Sequence, residues 1–285
     1  MITNPREMHV VTRHLRKAGK NIGFVPTMGY FHEGHLHLMR EAKRKNDILV
    51  VSIFVNPMQF GPNEDFNQYP RDIARDSSLA LEVGTDCLFC PSAEDMYPEG
   101  FDTSVSVNFL SSTLCGPSRP GHFAGVATIV LKLFNLVRPH QAFFGLKDYQ
   151  QFIIIRRMVA DLNLDMEVVG LPTVREQSGL ALSSRNIYLS LEHRTTAAAL
   201  SKTLFAAQRF ITERKLPTPL AALEFIHHTL AAEAPEMEIE YLEIRDAESL
   251  REITSFASRS VIAAAVRLGN VRLIDNVLVE PSNSP

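Results

Sequence analysis

The feature that most constrains the fold is a strand, a turn and a helix that follow one another near the N-terminus. Residues 22–25 (Ile-Gly-Phe-Val) predict a short buried strand, and residues 35–45 carry apolar side chains on one helical face with Lys and Arg opposite. The turn between them contains His32 and His35 within Pro-Thr-Met-Gly-Tyr-Phe-His-Glu-Gly-His at 26–35. Free backbone N–H groups and the helix dipole favour an anion at such a turn, which the two glycines allow the backbone to approach closely. Imidazoles there can donate to phosphate oxygens, so the pattern predicts a nucleotide-triphosphate site.

Two other interpretations of these histidines stay open at this point. Each imidazole could simply be a hydrogen-bonded structural group at a helix start. A zinc site is the other alternative, because His32, His35 and His37 lie close together. A zinc-binding His-Glu-x-x-His helix places its ligands four residues apart on one face, whereas the first two histidines here are three apart and separated by a glycine. The spacing therefore disfavours zinc.

Alternating strand and helix signals continue up to about residue 172. The run Ile48–Val55 is continuously apolar, as expected of a strand buried on both faces of a parallel sheet. Further strands are predicted at 85–90, 141–145 and 166–171, and further helices at 70–83, 123–137 and 148–161. Repeated βα units predict an α/β fold: a doubly wound, Rossmann-like parallel-sheet domain over 1–172. Ligands of such sheets bind beyond the carboxyl ends of the strands.

Residues 173–285 show a different pattern, which predicts a smaller α+β lid domain with an antiparallel sheet. Helices are expected at 191–214 and 219–232, and strands at 239–244, 260–266 and 271–278, the last two joined by a hairpin turn. The tail after Val279 is expected to fray.

Composition excludes several classes of function. Apolar residues make up 45% and charged residues 21% of the 285, and the formal net charge is −3, so no basic field for nucleic acid is expected. No apolar run approaches the ~20 residues that span a bilayer, and we predict no membrane partner. Three cysteines form no disulfide framework, which favours the cytoplasm. Cys87 and Cys90 are predicted to be small buried residues of a strand.

Polar side chains follow the second and fourth predicted strands. Asn56 and Gln59 carry neutral amides that can bind hydroxyls or carboxylates, although a plain polar turn is an equal alternative. Lys147 at a helix start is explained if a phosphate lies there, because the dipole disfavours a bare cation. Asp148 is a natural N-cap. Gln151 is expected to face the same opening.

Three further groups of polar side chains are candidates for ligand binding. Ser183, Ser184 and Arg185 offer hydroxyls and a guanidinium suited to triphosphate oxygens, against the alternative of a solvated loop. Arg119 and His122 form a basic turn. An acidic position at Asp76 could reach a magnesium ion.

Together these segments resemble the pantothenate synthetase (pantoate–beta-alanine ligase) family of the HxGH nucleotidylyltransferase-like superfamily. The resemblance covers nearly the whole chain, up to Arg-Leu-Ile-Asp-Asn at 272–276. Its motifs are Pro-Thr-Met-Gly…His-Glu-Gly-His at 26–35, Phe-Val-Asn-Pro-Met-Gln-Phe-Gly at 54–61, Tyr-Pro-Arg at 69–71, Arg-Pro-Gly-His-Phe-Ala-Gly-Val at 119–126, Phe-Phe-Gly-Leu-Lys-Asp-Tyr-Gln-Gln at 143–151, Pro-Thr-Val-Arg at 172–175 and Leu-Ser-Ser-Arg-Asn at 182–186. Tyr30-Phe31 departs from a more usual Ala-Leu pair, which puts the packing near the nucleotide in doubt but keeps both histidines. Leu146 stands where some relatives have Glu, and we give its side chain no role.

The resemblance implies ATP-dependent condensation of pantoate with β-alanine through a pantoyl-adenylate, releasing AMP and pyrophosphate. It implies ATP as substrate, Mg²⁺, other small-molecule substrates and a homodimer. His35, His32 and Lys147 are the expected catalytic residues. The expected ATP contacts are Met28, Gly29, Tyr30, Phe31, His32, Glu33, Gly34, His35, Gly145, Leu146, Lys147, Asp148, Val174, Leu182, Ser183, Ser184 and Arg185. Pantoate is expected at Gln59, Gln151 and Asn56, and β-alanine at Gln59, Arg119 and His122, with Asp76 as the metal candidate.

Two other classes of function are weighed against this one. A plain nucleotidylyltransferase would use the same histidines, but the set of amides without aromatic stacking residues disfavours it. A non-catalytic nucleotide-binding regulator would need no pocket for a second, acidic substrate. Pyrophosphate release that requires pantoate would exclude the regulator.

Overall fold

A computed structural model describes residues 1–62 and 64–281, so the tail expected to fray lies mostly outside the described residues. The chain divides into two compact units. The first consists of Met1–Ser111, Ser118–Leu146 and Gln150–Pro172, and the second of Ser112–Pro117, Lys147–Tyr149 and Thr173–Pro285. A division at 172/173 was expected from the sequence. The two short segments that group with the second unit were not.

A five-stranded parallel sheet forms the centre of the first unit, as the sequence predicts. Its strands in spatial order are β3-β2-β1-β4-β5. They are β1 (Ile22–Thr27), β2 (Ile48–Ile53), β3 (Cys87–Phe89), β4 (Gln141–Gly145) and β5 (Glu167–Leu171). The order reverses between β1 and β4, so the crevice beyond their carboxyl ends is the expected ligand position in a doubly wound sheet.

The helices of the first unit alternate with these strands along the chain. They are α1 (Pro5–Lys17), α2 (Glu33–Lys45), α3 (Ile73–Glu82), α4 (Ala93–Met96), α5 (His122–Val137) and α6 (Tyr149–Asp161). Phe31, Met39, Val51 and Phe143 belong to one buried cluster, which explains why β2 is apolar at every position except Ser52. Cys87 and Cys90 are half-buried free thiols, and burial raises the pKa of Cys90 to about 11.

Two sequence expectations for this unit need correction, and one helix was missed. Helix α1 was not predicted, although Asn4 caps it and its buried Met8 and Thr12 face the interior. Helix α3 begins at Ile73 rather than at residue 70, because Asp72 accepts from the backbone N–H of Arg75 as the N-cap. Strand β2 ends at Ile53 instead of 55, since the Asn56 side chain caps a short 3₁₀ turn there.

The second unit is α+β, as predicted. Its antiparallel sheet has the order β6-β7-β8, and the hairpin between β7 and β8 turns at Gly269, whose φ is +58°. The elements are α7 (Leu191–Thr212), α8 (Pro219–Glu233), β6 (Glu238–Asp246), β7 (Ser260–Leu268) and β8 (Val271–Val279). Leu200, Leu204, Ile226 and Ile262 are among the residues of its separate buried core. Within the described part of the chain, no helix is both long and apolar enough to cross a membrane.

Candidate active site

The two histidines after β1 form a reciprocal cap on α2. His32 is the N-cap, and its Nδ1 accepts from the backbone N–H of Gly34 at 3.1 Å. The Nδ1 of His35 in turn accepts from the backbone N–H of His32 at 3.3 Å. The ring centroids are 4.1 Å apart and the planes differ by 32°. Because each Nδ1 accepts an N–H, each ring is the neutral tautomer that carries its proton on Nε2. Both histidines therefore have a structural role, and each ring carries its N–H on Nε2 at a helix N-terminus.

The glycines of this turn are needed for packing within the protein. A Cβ on Gly34 would lie 2.9 Å from the His32 ring, so only glycine allows that imidazole to fold over the helix start. Gly29 has a φ of +84°, and a Cβ there would lie 2.9 Å from Ile53 and 3.0 Å from the Asp76 carboxylate. The sequence had suggested close approach to an anion as their reason; the structure supplies an intramolecular one.

Asp76 fixes residues 28–31, here called the nucleotide loop after the ATP contacts that the family resemblance predicts for it. Its Oδ2 accepts from the N–H of Tyr30 at 2.5 Å and its Oδ1 from the N–H of Phe31 at 2.8 Å. Arg75 lies beside it, with Nη1 at 3.4 Å from Oδ1 and Nη2 donating to the Phe31 carbonyl at 2.8 Å. Tyr30 has a φ of +50°, and the Arg75 guanidinium lies over its ring. The clamp thus holds a non-glycine residue in the left-handed region.

This geometry disfavours the prediction that Asp76 binds a metal ion. Its side chain is 1% exposed, and both oxygens already accept backbone N–H groups. Burial, the largest influence, raises the pKa of this carboxyl, although the two N–H groups and Arg75 oppose the shift. Among the described residues, no group of three or more His, Cys, Asp or Glu side chains could hold a metal ion. That result includes the three clustered histidines for which zinc was considered.

Asn56 and Gln59, here called the amide pair, lie after β2. Asn56 Nδ2 donates to Gln59 Oε1 at 3.2 Å and to the Gly125 carbonyl at 3.1 Å. Asn56 Oδ1 accepts from the Met58 N–H and from the Tyr97 hydroxyl. Every amide atom of Asn56 is therefore used within the protein, and its side chain is buried. The assignment of Asn56 to pantoate stays a prediction; the contacts seen here give its side chain the role of orienting Gln59.

Gln59 keeps its donor group directed toward the nucleotide loop. With Oε1 accepting from Asn56, its Nε2 lies 3.0 Å from the sulfur of Met28. The 3₁₀ turn carrying Gln59 packs closely on α5, because a Cβ at Gly125 would lie 2.3 Å from the Met58 carbonyl oxygen. Gly125 is thus required for this approach. The structure therefore brings the amide pair and the nucleotide loop together.

Arg119 and His122 support the backbone of Gln59. Arg119 makes a two-bond ion pair with Glu64, at 2.7 and 2.6 Å, and donates to His122 Nε2 at 3.0 Å. His122 Nδ1 donates to the Gln59 carbonyl at 2.8 Å. Burial is the largest influence on the Glu64 carboxyl and raises its pKa, but the hydrogen bonds and charge of Arg119 outweigh it, so the pKa is lowered overall. Since Arg119 is engaged by a carboxylate of the protein, the structure disfavours its assignment, and that of His122, to β-alanine.

The segment after β4 contributes Gly145, Leu146 and Lys147. Lys147 belongs to the second unit, where its backbone carbonyl accepts from the side chain of Asn276 on β8 at 2.9 Å. The ammonium Nζ of Lys147 lies 3.6 Å from the Asp148 carboxylate. Asp148 ends a 3₁₀ turn, and α6 starts at Tyr149 rather than at 148. Gln151 lies half-buried in the first turn of α6.

The other predicted ATP-contacting segment, residues 174–185, is a braced loop of the second unit. Leu182 N–H donates to the Val174 carbonyl at 3.0 Å, so these two predicted contacts are paired. Arg175 forms a bidentate pair with buried Asp275, at 2.6 and 2.7 Å. Glu176 pairs with Arg194, whose hydrogen bond lowers the pKa of Glu176. Ser183 Oγ accepts from the Arg185 N–H at 3.3 Å and starts a 3₁₀ turn. The neighbouring arginines are thus used as braces, which the sequence did not reveal.

Comparison with known proteins gives a consistent result over the whole length. The family model described as pantoate-beta-alanine ligase matches residues 1–278. The chain is 50% identical over 279 residues to the pantothenate synthetase of Geobacter sulfurreducens, covering 98% of both chains. It superposes on the pantothenate synthetase of Thermus thermophilus with a TM-score of 0.92 at 46% identity, covering 98% of this chain and 99% of that one. A pantoate-beta-alanine ligase from Francisella tularensis, solved with beta-gamma ATP and beta-alanine, gives a TM-score of 0.78 at 35% identity, with coverage of 98% and 97%.

Proposed function

This chain belongs to the pantoate–beta-alanine ligase family, and from that premise we propose how its own residues serve the reaction. The enzyme is a ligase that condenses pantoate with β-alanine at the expense of ATP. The observation that carries our account is the reciprocal histidine cap, because it holds two imidazoles, each with its proton on Nε2, at a helix N-terminus.

In the first step, an oxygen of the pantoate carboxylate attacks the α-phosphorus of ATP. The bond from that phosphorus to the bridging oxygen of the β-phosphate breaks, and pyrophosphate leaves with the electron pair. Charge therefore builds on the departing phosphates. We assign His32 and His35 Nε2–H, together with Lys147 and Arg185, to stabilise that charge. Fixed donors suit this task because they need not reorganise during the reaction.

Pantoate is held, in this proposal, by the donor end of Gln59 and by Gln151. Asn56 supports this assignment because it takes up Gln59 Oε1 and leaves the NH₂ group turned toward Met28 in the nucleotide loop. An amide donor suits both a carboxylate and a hydroxyl, and it does not titrate. The acid would thus lie beside the loop that we assign to ATP.

In the second step, the amine of β-alanine attacks the carbonyl carbon of the mixed anhydride. The bond from carbon to the AMP oxygen breaks, AMP leaves, and the nitrogen loses a proton to form the amide. No side chain has to carry an acyl group on this route. Since Arg119 is paired with Glu64, we assign no cationic partner to the β-alanine carboxylate in the first unit.

Three further features belong to the proposal. Mg²⁺ would be brought by the ATP phosphates, because the Asp76 carboxylate is buried and Mg²⁺ commonly binds through phosphates and waters. No step above passes through the metal ion. We also propose a homodimer, as the family resemblance implies, and a cytoplasmic location, which accords with the reducing compartment favoured by the three free cysteines.

The test follows label between pyrophosphate and ATP with β-alanine absent. Pantoate alone should support exchange, because the adenylate forms reversibly before the amine acts, and AMP should accumulate only when both substrates are present. Exchange that needs β-alanine would contradict a separate adenylate step. Lys147→Ala should suppress exchange and synthesis together. If exchange survived while synthesis was lost, Lys147 would belong to the amine step.

A further inference from the structure

Tyr97, which follows the short helix α4, ends a partly buried chain of hydrogen bonds that leads to the amide pair. Its hydroxyl donates to Asn56 Oδ1 at 2.7 Å. Asn56 Nδ2 then donates to Gln59 Oε1, and Gln59 Nε2 points at Met28. No member of this chain is charged, and each bond fixes the direction of the next.

The direction of the chain is set by groups that cannot reverse. The Met58 N–H can only donate to Asn56 Oδ1, and the Gly125 carbonyl can only accept from Asn56 Nδ2. A flipped Asn56 would oppose donor to donor and acceptor to acceptor. Gln59 would then turn its own NH₂ group toward Asn56 and present a carbonyl oxygen on the side of Met28. An oxygen there repels a carboxylate, whereas the NH₂ group binds it.

The ring of Tyr97 is held independently of its hydroxyl. Its centroid is 6.2 Å from that of Phe54 and 5.1 Å from that of Phe101. The Lys132 ammonium lies 4.4 Å from the Phe101 ring centroid and 5.7 Å from that of Tyr97. Removal of the hydroxyl alone should therefore leave the ring in place. Burial also raises the pKa of the Tyr97 hydroxyl, which keeps its proton available for donation.

We propose that Tyr97 is a positioning residue for the acid substrate: its hydroxyl adds a side-chain hydrogen bond to the two backbone contacts that orient Asn56, so that Gln59 presents an NH₂ donor to the pantoate carboxylate. The proposal rests on the assignment of Gln59 to pantoate made above. It predicts an effect on pantoate and none on ATP, although Tyr97 reaches the substrate only through two other side chains.

The experiment compares Tyr97→Phe, Gln59→Ala and the double variant in steady-state assays, with the KM for pantoate and the KM for ATP measured separately. Loss of one neutral hydrogen bond should raise the pantoate KM of Tyr97→Phe about 3- to 10-fold. The ATP KM should not change. Tyr97→Phe should add nothing in the Gln59→Ala background, because both substitutions then act on the same donor. Phe101→Leu is the control, since it loosens the ring contacts and keeps the hydroxyl.

Four results would overturn the proposal. They are an unchanged pantoate KM in Tyr97→Phe, equal changes for pantoate and ATP, additive effects in the double variant, and the same effect from Phe101→Leu. Failure of the underlying assignment looks different. If Gln59→Ala itself left the dependence on pantoate unchanged, the error would lie in the place given to pantoate, whatever Tyr97→Phe did.

Discussion

The nucleotide loop and the amide pair follow neighbouring parallel strands, yet opposite kinds of chemistry hold them in place. Buried Asp76 fixes the nucleotide loop by accepting two backbone N–H groups. Neutral groups fix the amide pair: a hydroxyl, a backbone carbonyl and a backbone N–H. The loop we assign to a polyanion therefore depends on an ionisable side chain. The pair we assign to a small acid has no carboxylate or cationic side chain in direct contact with its amide groups among the described contacts.

The carboxylates nearest to these two regions also differ. Glu64 supports the amide pair from behind, through Arg119 and His122, and its guanidinium partner lowers its pKa overall. Asp76 has only a 3.4 Å contact with its arginine, and burial raises its pKa overall. The well-aligned guanidinium of Arg119 thus compensates the desolvation of Glu64. The two backbone N–H groups and the more distant guanidinium of Arg75 do not compensate the desolvation of Asp76. The Asp76 carboxylate is 1% exposed and the Glu64 carboxylate 27% exposed, and their pKa values shift in opposite directions.

The largest expected effect separates the two roles of the nucleotide-loop histidines. His35→Ala should slow adenylate formation about 10²- to 10³-fold, the scale for losing one donor to developing charge. It should also destabilise the fold by about 0.5–2 kcal/mol, because the cap on the His32 N–H is lost. Rates of pyrophosphate–ATP exchange and urea unfolding measure the two effects.

His35→Asn is the matched variant for that prediction. A shorter amide can still accept from the His32 N–H, but it has no group at the position of Nε2. Stability should therefore return while exchange stays slow. Exchange at the native rate in either variant would remove His35 from the chemistry and leave it only its capping role.

Asp76→Ala comes next in size and tests whether the carboxylate holds the nucleotide loop. It leaves the N–H groups of Tyr30 and Phe31 without their acceptor, at about 1–3 kcal/mol for each unsatisfied group. If part of that free energy appears in nucleotide binding, the KM for ATP should rise about 10- to 100-fold. The KM for pantoate should change much less.

Asp72→Asn is the control for the loss of charge. Asp72 caps α3 four residues earlier, and asparagine serves equally well as an N-cap. This variant removes one negative charge near the loop without removing its clamp, so the KM for ATP should stay at the native value. Equal effects from Asp72→Asn and Asp76→Ala would mean that local charge, and not the two hydrogen bonds, governs ATP binding.

The sequence predicts well what depends on local pattern and poorly what depends on distant partners. The parallel strands were predictable because Ile48–Ile53 is apolar at most positions and buried on both faces. The clamp was not, because Asp76 and Phe31 are 45 positions apart. Asn56 was taken for a ligand since the sequence shows its amide and hides Tyr97 and Gly125, which are 41 and 69 positions away. His32 and His35 were correctly placed at a helix start, whereas their mutual cap depends on how the two rings are oriented in space, which the sequence does not show.

The smallest expected effect compares how pH acts on stability in the two regions. Asp76 has a raised folded pKa, so its contribution to stability is complete below its ordinary pKa of about 3.9 and is lost as the pH rises through the raised value. Glu64 has a lowered folded pKa, so its contribution is complete above its ordinary pKa of about 4.3 and is lost as the pH falls through the lowered value. Urea unfolding between about pH 3 and pH 7 should be measured for the native protein, Asp76→Asn and Glu64→Gln, because neither replacement titrates. The difference in unfolding free energy between native protein and Asp76→Asn should shrink with rising pH, and the difference for Glu64→Gln should grow.

ATP use should show the reverse of the Asp76 trend. The ionised carboxylate is the form that accepts both N–H groups, so acidification should weaken ATP binding in the native protein while Asp76 adds to its stability. Two difference curves that slope in the same direction would break the contrast, because the two carboxylates would then share one electrostatic environment.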